Sequence, residues 1–149
     1  NGGLLLHYLN VGDHLRCMPN PLFDTAWYRG HYEVPNGESA LLHYLRGGVG
    51  SGMRPNALFD TAWVAAENIG AIPDGQDPLQ FYLDRERYLS IWPCPIFDPS
   101  WYRVQCPDSA GYIPLAHYLA VGIGLGFSPH PSVDGDLLAE RLASTPALV

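Results

Sequence analysis

One pentapeptide governs what this chain can fold into. Phe59-Asp60-Thr61-Ala62-Trp63 returns as Phe23-Asp24-Thr25-Ala26-Trp27, as Phe97-Asp98-Pro99-Ser100-Trp101 and, in degenerate form, as Val133-Asp134-Gly135-Asp136-Leu137. A second motif keeps step with it: His7-Tyr8-Leu9, His43-Tyr44-Leu45, Phe81-Tyr82-Leu83 and His117-Tyr118-Leu119 each begin sixteen residues earlier, from 7 to 23, 43 to 59, 81 to 97 and 117 to 133. Two motifs held at one offset through four copies define a tandem array. Its units are 1–22 (partial), 23–58, 59–96, 97–132 and 133–149 (degenerate), and residues 1–149 read as one array. The chain opens inside one repeat and stops inside another, so we expect it to be a piece of a longer polypeptide.

Each motif predicts a helix. An aspartate ahead of Thr-Ala-Trp is placed to cap one, its carboxylate accepting from the free amides of the first turn and meeting the positive end of the helix dipole. Asp24, Asp60, Asp98 and Asp134 are read in this way. Phe23, one residue before its cap, is set to pack as a hydrophobic staple on Tyr28. The predicted spans run from Thr25 to Tyr32, from Asp60 through about Asn68, from Pro99 onwards and from Asp136 to Ala143. The second motif lies on amphipathic helices with leucine stripes such as Leu41, Leu42 and Leu45, over Asn1–Asn10, Ser39–Arg46, Leu79–Leu89 and Pro114–Val121. Gly12, Gly48 and Gly122 are placed to end three of them. Glu86 replaces that glycine in the third copy, where the repeat spacing is also 38 in place of 36. The helix is therefore expected to run on a further turn through Arg85, Arg87 and Tyr88.

Prolines recur at one phase of the connectors, at Pro19 with Pro21, Pro55, Pro93 with Pro95, and Pro129 with Pro131. They exclude helix there and imply defined turns. The expected class is all-α: tandem helical hairpins, an α-solenoid-like array with Pro/Gly-rich connectors.

Composition bounds the partners. A net charge of −7 with only eight Lys and Arg gives a phosphate backbone nothing to bind, so nucleic acid is not expected. No apolar run approaches the roughly 20 residues of a membrane span. Cys17, Cys94 and Cys106 have no metal-ligand spacing; a Cys94–Cys106 bridge is conceivable in an oxidising compartment, with separate thiols the simpler reading. The compartment is open between cytoplasm and cell surface or secretion.

The repeated polar residues invite catalytic readings that the spacing does not support. His7, His43 and His117 stand a repeat apart, too far for one ion, and Phe81 fills the same slot, which favours packing. The four aspartates have capping roles and lack a partner carboxylate. Gly47-Gly48-Val49-Gly50-Ser51-Gly52 follows a helix and precedes no Lys-Ser/Thr, so it reads as a helix stop and not a phosphate loop. We expect no catalytic residue, metal or cofactor. Trp27, Trp63 and Trp101, with Phe23, Phe59, Phe97, Tyr8, Tyr44, Tyr82 and Tyr118, are the expected repeat core. Trp92 lies off phase in the aberrant third connector. Together with Tyr88 and Ile91 it forms the candidate binding patch.

The pattern resembles tandem repeats of the form P-L-x-H-Y-L-x-x-G-x-x-x-G-x-x-P-x-P-x-F-D-x-x-W-Y, found in bacterial glycosyltransferases and polysaccharide-synthesis proteins and in large secreted calcium-binding repeat proteins. His43, Tyr44, Leu45, Gly48, Gly52, Pro55, Phe59, Asp60 and Trp63 carry the resemblance, with Ala57 where a proline and Val64 where a tyrosine would stand. It implies a non-catalytic interaction or spacer module attached to a glycan-handling or surface-associated domain, with a protein as partner, either a neighbouring domain or copies of the same chain. A carbohydrate-binding repeat surface is the alternative. Membership of a glycosyltransferase active unit is a third.

Overall fold

A computed structural model describes residues 22–48 and 50–144, apart from the side chain of residue 85. The readings made on Tyr8, His7, Gly12, Cys17 and the first predicted helix lie outside these residues. Among the described residues the chain is helical, with seven short α-helices and no strand. It divides into two compact units, one ending at Ala57 and the other running from Leu58 to Thr145.

In the first unit α1 (Thr25–His31) begins where Asp24 turns to extended backbone and its carboxylate accepts from Trp27 N at 2.9 Å. Phe23 lies against Tyr28 at 5.2 Å between ring centroids. Ser39 caps α2 (Ala40–His43), which after one turn widens into a π-helical segment, Tyr44–Gly48. The widening is visible one turn on, where Met53 N donates to Gly48 O, five residues back, at 2.8 Å. Phe23, Tyr28 and Tyr44 form an enclosed aromatic triangle, with Tyr28 and Tyr44 edge to face at 6.0 Å and 87°. Burying rings of this size drives the unit together, each contributing about 1.5–3 kcal/mol.

The second unit repeats the sequence of events. α3 (Thr61–Glu67) is capped by Asp60, α4 (Pro78–Leu83) by Asp77 with Pro78 in its first turn, and α5 (Pro99–Gln105) by Asp98 with Pro99 in its first turn. α6 (Pro114–His117) widens into the π segment Tyr118–Gly122, where Ile123 N donates to Tyr118 O at 2.8 Å. Gly135–Ser144 forms α7, with Leu137 N donating to Asp134 at 2.9 Å. A Cβ at Gly135 would run into the carbonyl oxygens of Gly126 and Phe127, so glycine at the start of α7 is a packing requirement. Phe97, Tyr102 and Tyr118 rebuild the aromatic triangle, with centroids 5.3 to 5.7 Å apart.

One backbone hydrogen bond recurs with the motif. In three copies the amide of the pentapeptide aspartate donates to a connector proline: Asp24 N to Pro55 O at 3.0 Å, Asp60 N to Pro93 O at 2.9 Å, and Asp98 N to Pro129 O at 2.9 Å. The three complete sequence units, 23–58, 59–96 and 97–132, thus each close on themselves, running out through two helices and back to the amide where they began. The amides lie outside the helices they precede, and the prolines, lacking a donor, offer only an acceptor.

Three expectations are refined by these elements. The glycines at 48 and 122 do not stop a helix by entering the left-handed region. That conformation falls four residues later, at Gly52 (φ 70°) and Gly126 (φ 73°). The third leucine-motif helix does not continue as α-helix beyond Leu83. It tightens into a 3-10 segment, Asp84–Leu89, in which Glu86 takes the left-handed φ of 57°. The enclosed side chain of the pentapeptide helix sits one residue beyond the tryptophan: Tyr28, Val64 and Tyr102 are fully buried, while Trp27, Trp63 and Trp101 are half-buried. A helix advances about 100° per residue, so the neighbour of a boundary residue takes the inward direction.

Candidate functional site

Among the described residues the recurrent aspartates and histidines are engaged within the fold. Asp24, Asp60, Asp98 and Asp134 each accept from a first-turn amide. His43 Nδ1 lies 2.9 Å from Tyr28 Oη, and His117 Nδ1 2.7 Å from Tyr102 Oη. Where Val64 replaces the tyrosine, Phe81 replaces the histidine, so the polar pair is exchanged as a pair for two buried apolar residues. Gly48 and Gly122 belong to the same constellation. A Cβ on Gly48 would stand 2.8 Å from Tyr28 Oη and 3.1 Å from Tyr44 Cδ2, and one on Gly122 would collide with Tyr102 Oη. Only the unit with valine carries a larger residue, Glu86, at that position.

Burial pushes the Tyr28 phenol up to about 12, with Tyr32 and Glu38 adding to it, and the Tyr118 phenol to about 12. Tyr82 and Tyr102 are raised further, again chiefly by burial. Tyr82 Oη and Tyr118 Oη are buried with no hydrogen-bond partner among the described residues, as are the indole nitrogens of Trp63 and Trp101. Cys94 and Cys106 are separate buried thiols. Among the described residues no group of three His, Cys, Asp or Glu is placed to hold a metal, and no helix is long and apolar enough to cross a membrane.

A cleft of about 440 Å³ opens inside unit 59–96, lined by Trp63, Glu67 and Asn68 from the end of α3 and by Ser90, Ile91 and Trp92 from the connector. Its volume falls within the range of small-ligand and side-chain pockets. Of the residues singled out in the connector, Ile91 and Trp92 reach it. Tyr88 packs toward Tyr82 instead, at 6.3 Å between centroids. Trp92 is 36% exposed and meets His130 edge to face at 5.4 Å.

The equivalent interstices of the other two complete units are bridged. In 23–58 the Arg54 amide donates to Tyr32 Oη at 2.9 Å, and His31 stacks on Trp27 at 4.1 Å and 19°. In 97–132 Gln105 Nε2 donates to Ser128 O at 3.0 Å. The corresponding positions in 59–96 are Glu67 for His31 and Gln105, Asn68 for Tyr32, and Trp92 for Arg54 and Ser128. Glu67 bonds to nothing across the gap among the described residues, and Asn68 Nδ2 turns back to Val64 O at 2.8 Å. Sequence reasoning missed Glu67, Asn68 and Ser90 and assigned Trp63 to the core. The available signal was the exchange of the bridging side chains at two adjacent repeat positions, Tyr32 for the shorter Asn68 and Gln105 for Glu67, whose carboxylate has no proton to give a carbonyl.

No protein-family model matches the chain, and no curated protein or solved structure matches it.

Proposed function

We propose that the chain is a non-catalytic helical-repeat interaction module, a tandem array of closed helical units that supports a recognition surface. The observation that carries this reading is the division of labour among its residues. Among the described residues the repeated aspartates cap helices and His43 and His117 are paired with Tyr28 and Tyr102, whereas the open cleft is built where one unit departs from the repeat. A residue already holding a helix end or a neighbouring ring is poorly placed to act on a substrate. In this reading the module accompanies a glycan-handling or surface-associated domain, as the resemblance of its repeats implies. A carbohydrate-binding surface is the second reading, favoured by the two indoles that line the cleft.

The test is Trp92→Ser. It should leave the helical dichroism and melting temperature nearly unchanged while removing self-association in sedimentation, or binding to the adjoining domain of the full-length polypeptide. Unfolding of the variant, or undiminished association, would overturn the docking role. Turnover of a sugar nucleotide by the wild-type chain would overturn the non-catalytic assignment.

A further inference from the structure

The side chains of the cleft select a chemistry. Glu67 is exposed and accepts only, with no cation paired to it among the described residues. Asn68 uses its amide nitrogen on Val64 O, which leaves the Oδ1 lone pairs. Ser90 directs its hydroxyl proton to Arg87 O at 3.4 Å, again leaving lone pairs. Apart from the indole N–H groups, what the side chains offer an occupant is therefore acceptors, one of them charged, beside the aromatic surface of Trp63 and Trp92. A cation rich in donors satisfies both demands, since indole attracts cations through its quadrupole and a carboxylate pairs with guanidinium through two parallel hydrogen bonds. The chain's charge of −7 draws such a partner in. The same contact exists within the fold: the Arg87 guanidinium carbon lies 3.8 Å from the centroid of Phe81.

We propose that the cleft receives an arginine side chain carried on a short peptide segment of a partner protein. This rests on the interaction-module reading and names the partner chemistry of its exposed site. Arginine fits better than lysine because its planar group lies on an aromatic face while keeping N–H donors in the plane for Glu67, Asn68 and Ser90. The cleft exceeds the volume of one guanidinium, leaving room for the backbone on either side. A neutral saccharide would meet the indoles and donate hydroxyls to the acceptors but, carrying no charge, would gain no net attraction from the chain's charge of −7.

The experiment follows the indole N–H resonances of Trp63 and Trp92 while the whole chain is titrated with an acetylated, amidated Gly-Gly-Arg-Gly-Gly peptide. Its citrulline analogue, of the same shape without the charge, its lysine analogue, and cellobiose serve as comparators. The arginine peptide should shift both resonances saturably and lose affinity as salt is raised, with citrulline weaker by about tenfold. Glu67→Gln, at an exposed position, should weaken the arginine peptide by roughly three- to tenfold with the dichroism spectrum unchanged. Equal binding of the citrulline peptide, saturation by cellobiose alone, or no shift with any peptide would overturn the proposal. If Trp92→Ser abolishes association while the arginine peptide leaves the resonances unmoved, only the arginine assignment fails. If the peptide binds and Trp92→Ser leaves association intact, the docking role is what fails.

Discussion

Tyr102 Oη lies 2.7 Å from His117 Nδ1, and the same hydroxyl occupies the space that any side chain on Gly122 would need. Tyr28, His43 and Gly48 repeat the relationship. A tyrosine one residue past the motif tryptophan therefore demands two distant partners, a histidine to satisfy its hydroxyl and a glycine to make room for it. Unit 59–96, with Val64, has Phe81 and Glu86 in their places and is free of both demands.

Gly122→Ala should destabilise the chain by about 1–3 kcal/mol, the usual cost of forcing a methyl into a packed site. Combining it with Tyr102→Phe should cost less than the sum of the two, because the colliding oxygen is removed. Urea denaturation of the four proteins measures the coupling. Strict additivity would mean that the glycine answers to something other than Tyr102.

Two tyrosines in contact should respond oppositely to loss of their hydroxyls. Tyr102→Phe breaks the bond to His117 and should cost about 1 kcal/mol. Tyr118→Phe removes a buried hydroxyl that has no partner among the described residues, and should be neutral or stabilising by up to about 1 kcal/mol. A clear loss of stability for Tyr118→Phe would reveal a hydrogen bond to an ordered water.

The motif residues should rank by enclosure. Phe97→Ala, at a fully buried ring, is expected to cost about 3–5 kcal/mol. Trp101→Ala, half-buried, should cost less than that despite the larger side chain. Asp98→Ala should cost about 1 kcal/mol, since the cap is lost while the backbone link from Asp98 N to Pro129 O can persist. Chemical denaturation that ranked Trp101 above Phe97 would put the indole at the centre of the core after all.

Stability should decline in alkali. The Tyr28 and Tyr118 phenols rise from an ordinary 10.0 to about 12 because burial disfavours the phenolate. The folded chain consequently holds protons that the unfolded chain has released. The contribution is complete below pH 10.0 and is lost as the pH climbs through about 12. Melting temperature should fall across that window, and tyrosinate absorbance should rise in step with unfolding. A flat stability profile there would show that these hydroxyls are not held in a dry site.

By itself the sequence determined that the described residues are helical and, to within a residue, where their α-helices begin, because those properties depend on residues close together in the chain. An aspartate three residues before an unsatisfied amide, a proline that cannot donate and a leucine stripe all act within one or two turns. Helix ends were less legible. The sequence marks Gly48 and Gly122 as special without distinguishing a left-handed stop from a close approach, and the reason is a tyrosine hydroxyl arriving from a helix twenty residues away in the chain. Direction around a short helix has the same character, since one residue of phase decides whether Trp101 or Tyr102 is enclosed. The return of each unit to its starting amide, as from Asp60 N to Pro93 O, joins residues that no local rule pairs. The cleft depended wholly on tertiary structure: Glu67, Asn68 and Trp92 matter there because their counterparts in the other units span a gap that these do not. Whether two side chains meet across a gap is set by where the folded backbone holds them, and repeat spacing alone carries no information about that distance.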